Sequence, residues 1–78
     1  MMTPEQCRAA RALLGWSQGD LETASRVAKA TIANFERGAS TPYPRTLDDM
    51  REALEAAGVK FIDENGEGAG VRLKSKRL

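Results

Sequence analysis

Residues 17–38, SQGDLETASRVAKATIANFERG, constrain this chain more than any other stretch. They have room for two short helices and one tight turn. Ser17 supplies a side-chain oxygen that caps the first helix, and Asp20, three residues on, completes a capping box. Trp16 before the cap and Leu21 four residues after it have the spacing of a hydrophobic staple, which fixes the angle at which the chain enters the helix. Leu21 with Ala24 or Ser25 gives this helix a narrow apolar face. The turn falls at Ser25, Arg26 and Val27, with Val27 pointing inward. The second helix runs from about residue 28 to residue 37. Ile32 and Phe35 are three apart and share its buried face, while Lys29, Ala30, Ala33 and Asn34 fall on other faces. Gly38 stops the helix because it adopts the left-handed conformation without strain.

The flanking stretches read as support. Thr3 caps a first helix, Pro4 suits its first position, and Gln6 completes a second capping box. Cys7, Ala10 and Leu14 recur at helical spacing, with Leu13 beside them, so one face packs inward and Gly15 ends the helix. Cys7 reads as a small buried apolar residue rather than a redox switch, and Trp16 as a core residue rather than a stacking platform. Arg11, one turn before Gly15, is placed to pair with Glu36 or a backbone carbonyl. After Gly38, Pro42 and Pro44 mark residues 39–45 as a loop. Thr46 is expected to cap the next helix, with Asp49 at its third position and Asp48 and Asp49 at the positive end of its dipole. Leu47, Met50, Leu54 and Ala57 form its buried stripe, and Gly58 ends it. From Val59 the period changes to two. Residues 59–62 and 71–74 read as strands of a β-hairpin around the glycine-rich segment 63–70, which contains the pair Asn65-Gly66. Gly66, Gly68 and Gly70 lack the following helix and the Lys-Ser/Thr of a phosphate-binding loop. The end of the chain, from Lys74, reads as frayed.

The bounds on the whole chain exclude several classes. Seventy-eight residues allow one small domain with a modest core. A lone cysteine and the absence of histidine argue against an internal disulfide, a metal site and histidine-based catalysis. No nucleophile–base pair or cofactor loop is legible, so neither an enzyme nor a cofactor is expected. No apolar run is long enough to span a membrane and no signal peptide pattern is visible, which points to the cytoplasm. The net charge of +1 is uninformative by itself, but its distribution is uneven. Arg26, Lys29, Arg37 and Arg45 lie in or just after the two-helix unit. Asp48, Asp49, Glu52 and Glu55 make the next helix acidic, and Arg72, Lys74, Lys76 and Arg77 make the end basic. That asymmetry suits a protein with one side turned to nucleic acid, and it suits ordinary solvated charge equally well.

Ser17-Gln18, Leu21, Val27, Thr31-Ile32 and Glu36-Arg37-Gly38, in that order, resemble the Xre type of helix-turn-helix regulator, which includes the Cro proteins and phage repressors. Arg11 with Gly15-Trp16-Ser17-Gln18 resembles that family's lead-in, and Thr46-Leu47 with Ala53-Leu54 its closing helix. The resemblance covers roughly residues 4–58. It implies an all-α, compact bundle of four to five helices, here followed by a short C-terminal β-hairpin. The expected organisation is a DNA-binding domain over 1–58 and a hairpin tail over 59–78 that serves dimerisation. The expected partner is double-stranded DNA, bound as a homodimer on an inverted-repeat operator, with neither a membrane nor a small-molecule substrate involved. Lys29, Ala30 and Asn34 match positions that face base edges, and Thr31 suits either a base or the backbone. In the family the loop that carries Tyr43 and Arg45 runs beside the DNA backbone, which makes both candidate phosphate contacts, with a core-covering role as the alternative for Tyr43. Ser17 and Gln18 at the start of the first helix, and Arg37, are further phosphate candidates. Lysine suits guanine O6 and N7, asparagine pairs two-fold with adenine, and an alanine methyl meets the thymine methyl. The competing class is a protein-binding module on the same fold, an antitoxin or antiactivator that grips a partner protein.

Three positions depart from the family pattern. Glu22 stands where a small residue, often Ala, is usual. Arg26 stands where Gly is common in the turn, and a non-glycine residue at positive φ costs about 1 kcal/mol. Ala28 stands where Ser or Thr caps the second helix, and a lost cap costs about 1 kcal/mol.

Overall fold

The structure is a computed structural model, and it describes residues 1–74. Among the described residues, four helices are followed by a hairpin: α1 (Pro4–Leu14), α2 (Gln18–Ser25), α3 (Lys29–Glu36), α4 (Pro44–Ala56), β1 (Val59–Ile62) and β2 (Gly70–Leu73). The expected four-to-five-helix, all-α bundle is thus a four-helix fold with a two-stranded antiparallel sheet. The sheet is part of the core. Val59 and Phe61 join Cys7, Ala10, Leu21, Ile32, Phe35, Leu47, Met50 and Leu54 in one apolar cluster. An isolated hairpin is marginal in water, and this one is stabilised by laying its inward face on α1 and α4. The frayed end expected from Lys74 onward falls mostly on residues 75–78, which lie outside the described residues.

The local signals explain most of the elements. α1 begins with the capping box of Thr3 and Gln6, with Pro4 in its first turn. It ends at Gly15, whose φ of 68° is left-handed and lets the Trp16 N–H reach the Arg11 carbonyl at 2.8 Å. α2 begins with the capping box of Ser17 and Asp20.

The start of α4 corrects the reading. The helix begins at Pro44, with Tyr43 at the cap position, and not at Thr46. A proline at the first helical position loses nothing, because the N–H it lacks would have no helical partner there and its φ is already helical. Pro44 therefore opens the helix instead of prolonging the loop. Thr46 moves inside the helix, and Asp48 and Asp49 fall beyond its first turn, so the dipole argument for them lapses. Ala57 is exposed, one residue past the helix end, and leaves the buried stripe.

The hairpin pairs Val59 with Leu73, Lys60 with Arg72, Phe61 with Val71 and Ile62 with Gly70, so β2 starts one residue earlier than the alternation implied. Gln6 anchors this end of the sheet. Beyond its capping role, its side-chain N–H groups donate to the carbonyls of Ile62 at 3.2 Å and Gly70 at 3.0 Å. From the other side Arg51 stacks 4.8 Å from the Phe61 ring centre and lies 3.9 Å from Asp63. In the connecting loop the Glu64 carboxylate accepts from the amides of Gly66 and Gly68, at 2.9 and 3.1 Å. Two amides that a phosphate loop would need are thereby taken.

Candidate nucleic-acid interface

The two-helix unit is built on Leu21 and Ile32, both fully buried, with Val27 between them at the turn. Burial of each such side chain contributes roughly 1.5–3 kcal/mol. This seals the inner faces of α2 and α3 and leaves the outer face of α3 to solvent. Lys29 and Ala30 stand exposed in the first turn of α3, and Thr31 and Asn34 are half-buried.

The three departures resolve into local compensations. Arg26 does take the left-handed conformation, with φ 63°, and is the one non-glycine residue to do so among the described residues. Its N–H bonds the Glu22 carbonyl at 2.8 Å. Ser25 secures the same turn, its hydroxyl donating to the Leu21 carbonyl at 2.7 Å and accepting from the Val27 N–H at 3.2 Å. Ala28 gives α3 no side-chain cap. The cap comes instead from across the turn, where the Glu22 carboxylate accepts from the Lys29 N–H at 3.1 Å.

Behind α3 lies a buried polar cluster. Glu36 is 3% exposed. It accepts from Arg11 Nε at 2.7 Å, Arg11 Nη2 at 2.6 Å, Gln18 Nε2 at 3.1 Å and the Cys7 thiol at 3.1 Å. Arg11 Nη1 also donates to the Trp16 carbonyl at 2.9 Å, so both pairings open to it from the sequence occur together. One carboxylate thus ties α1, α2 and α3. Burial alone would raise the Glu36 carboxyl, but the hydrogen bonds from Arg11, Gln18 and Cys7 outweigh it and hold the group below its ordinary range. The Arg11 guanidinium is raised in turn, chiefly by its hydrogen bonds to Glu36. The Cys7 thiol is pushed well up, first by burial and then by its bond to Glu36, which makes it a poor nucleophile.

The residues matched to phosphate positions divide into two groups. Ser17 and Gln18 are engaged within the fold: Ser17 Oγ accepts from the Asp20 N–H at 3.0 Å, and the Gln18 amide is turned onto Glu36. Arg37, Tyr43 and Arg45 are exposed, Tyr43 at 84%. Arg37 Nη2 donates to Asn34 Oδ1 at 2.8 Å, which links a residue matched to phosphate contact with one matched to base contact. Gln18 and Arg37 share a shallow recess with Arg8, Arg11 and Ala33. Arg8 was not singled out by sequence reasoning. It lies one turn before Arg11 on the same face of α1, and its guanidinium donates to the Glu36 carbonyl. That spacing was the available signal. Tyr43 and Arg45 lie apart from the recess, at the start of α4.

A helix-turn-helix family model matches residues 8–57, well over half of the chain. The chain belongs to the Xre type of helix-turn-helix regulators. No curated protein matches it. As a member of that family, the regulator is a DNA-binding protein, and α2 and α3 are its helix-turn-helix. No helix among the described residues is long and apolar enough to cross a membrane.

Proposed function

We propose that this regulator binds a specific inverted-repeat DNA operator as a homodimer and controls transcription there, its own gene being the first candidate target. The observation that carries the reading is the division of α3 into two faces. Ile32, Phe35 and Glu36 lock the inner face, while Lys29, Ala30, Thr31 and Asn34 are carried on the remainder. A helix held rigidly from behind presents its outer side chains to the major groove at little entropic cost. In this reading Lys29, Ala30, Thr31 and Asn34 contact base edges. Arg37, Tyr43 and Arg45 contact phosphates, and the first-turn backbone of α2, at Ser17 and Gln18, meets a further phosphate.

One recognition helix reads only a few base pairs, so two copies about 34 Å apart make a complete site. The outward face of the hairpin, with Lys60, Ile62 and Arg72, together with α4, forms the contact between copies. Its support is position: the hairpin packs on α1 and α4, away from the helix-turn-helix, and leaves that unit uncovered.

Fluorescence anisotropy on DNA from upstream of the gene, across a salt series and with nonspecific competitor, tests the reading. Binding that survives competitor and weakens steeply with salt supports it. Binding that competitor abolishes overturns it in favour of a partner-protein role.

A further inference from the structure

The helix that faces DNA in the proposed reading is capped by a charged residue from the helix before it. Ala28 leaves the α3 N-terminus without a side-chain acceptor, and Glu22 fills the position from α2. Two departures from the family pattern are therefore one device. A serine cap would satisfy the same end without a net charge, whereas Glu22 adds a full negative charge. It does so beside Lys29 and Ala30, at the end of α3 where the backbone amides would otherwise attract a phosphate.

We propose that Glu22 is a positioning residue for DNA recognition, which orders the first turn of α3 and, by its charge, restrains sequence-independent attraction to DNA phosphates. The two effects act in one direction. Ordering Lys29 and Ala30 favours the correct base edges, and the carboxylate weakens contacts that carry no sequence information. Discrimination between sites rises at the expense of raw affinity. Glu22 is also the residue whose carbonyl accepts the Arg26 N–H, so the turn and the cap are held by one side chain and its own backbone. The inference rests on the proposed placement of α3 against DNA.

The test uses the full chain and three variants, Glu22→Gln, Glu22→Ala and Glu22→Ala with Ala28→Ser. Affinity is measured on a random-sequence duplex of about 20 base pairs across a salt series, a span sufficient for two half-sites. Amide exchange is followed at Lys29, Ala30 and Thr31. Glu22→Gln keeps an acceptor and loses the charge. It is expected to retain protection at Lys29 and to bind the random duplex roughly five-fold tighter at low salt, the size of one unit-charge contact at about 4 Å in water. Glu22→Ala is expected to bind the random duplex more tightly as well, but to lose protection at Lys29. Adding Ala28→Ser to it is expected to protect Thr31, the third-position amide that a serine cap takes, while Lys29 stays unprotected and the random-duplex affinity stays high.

A Glu22→Gln variant whose random-duplex affinity matches the parent overturns the charge restraint. Lys29 protection that survives in Glu22→Ala overturns the cap. A duplex selected by the parent chain from a random pool separates this inference from the reading beneath it. If no sequence is enriched, specific recognition fails. If a sequence is enriched and the variants discriminate it as well as the parent does, this inference alone fails.

Discussion

Arg11 grips Glu36 through two parallel hydrogen bonds of 2.7 and 2.6 Å across 25 residues of chain. The pair joins α1 to the last residue of α3, and Gln18 brings in α2. A buried carboxylate with four side-chain donors is satisfied only when all three helices are in place. The orientation of the recognition helix therefore depends on a polar cluster as well as on the apolar core.

Glu36→Ala should be strongly destabilising. It leaves Arg11, largely withdrawn from water, without its carboxylate, and breaking such a pair costs about 3 kcal/mol or more. In a domain of this size that is a large share of the total stability. Urea unfolding of the variant and the parent checks it. A loss below about 1 kcal/mol, the range of exposed pairs, would show that the cluster is not buried in solution.

The same cluster makes stability depend on pH. Glu36 has a carboxyl held below its ordinary value in the folded state. A group of this kind contributes fully above its unfolded value, and the contribution disappears as pH falls through the lower folded value. Thermal stability should therefore drop as the solution is acidified below the ordinary glutamate range, near pH 4.5. In Glu36→Gln the absolute stability is lower and this part of the pH dependence is missing. Melting curves from pH 7 to pH 3 distinguish the two profiles.

Gln6→Ala should loosen the hairpin selectively. It removes two donors to the carbonyls of Ile62 and Gly70, and it also removes half of the α1 capping box. Carbonyls left without partners at a part-buried site cost about 1–3 kcal/mol. Amide exchange should accelerate most in β1 and β2 and least in α3.

Arg26→Gly should be neutral to mildly stabilising. Glycine removes the strain of about 1 kcal/mol at φ 63°. It returns roughly half of that through the greater freedom of the unfolded chain. Chemical denaturation checks the sign, and a marked loss would mean that the Arg26 side chain has a contact of its own.

Asn34→Ala and Arg45→Ala should separate base reading from phosphate attraction. The first should cost roughly 1–3 kcal/mol on the specific site and little on random DNA. The second should weaken all sequences alike and reduce the salt slope by about 1. Anisotropy titrations of both variants on specific and random duplexes are decisive. An Asn34 variant with full affinity and specificity would remove that residue from the base-reading set.

Much of this was legible because it is local. The capping boxes of Thr3 and Gln6, and of Ser17 and Asp20, lie within four residues of chain, and the structure has both. The Ile32 and Phe35 spacing located the inner face of α3, and the shift to alternation at Val59 located the hairpin. The misplacement of the α4 start was also a local matter, a proline read as a breaker where it serves as a first residue.

The amino-acid order by itself determined where α1 and α2 begin and which helix faces are apolar, because caps, turns and periodicity act over one or two turns of chain. Tertiary structure alone decided three other things. Gln6, already spent on a cap, also reaches the hairpin 56 residues away. Gln18, matched to a phosphate, turns its side chain onto Glu36. Glu22, which looked like a defect beside Ala28, is the residue that caps α3. Each is a polar group choosing a partner that is distant in sequence or on another element. Pattern cannot foresee that choice, because a hydrogen bond forms wherever folding brings donor and acceptor within about 3 Å of one another.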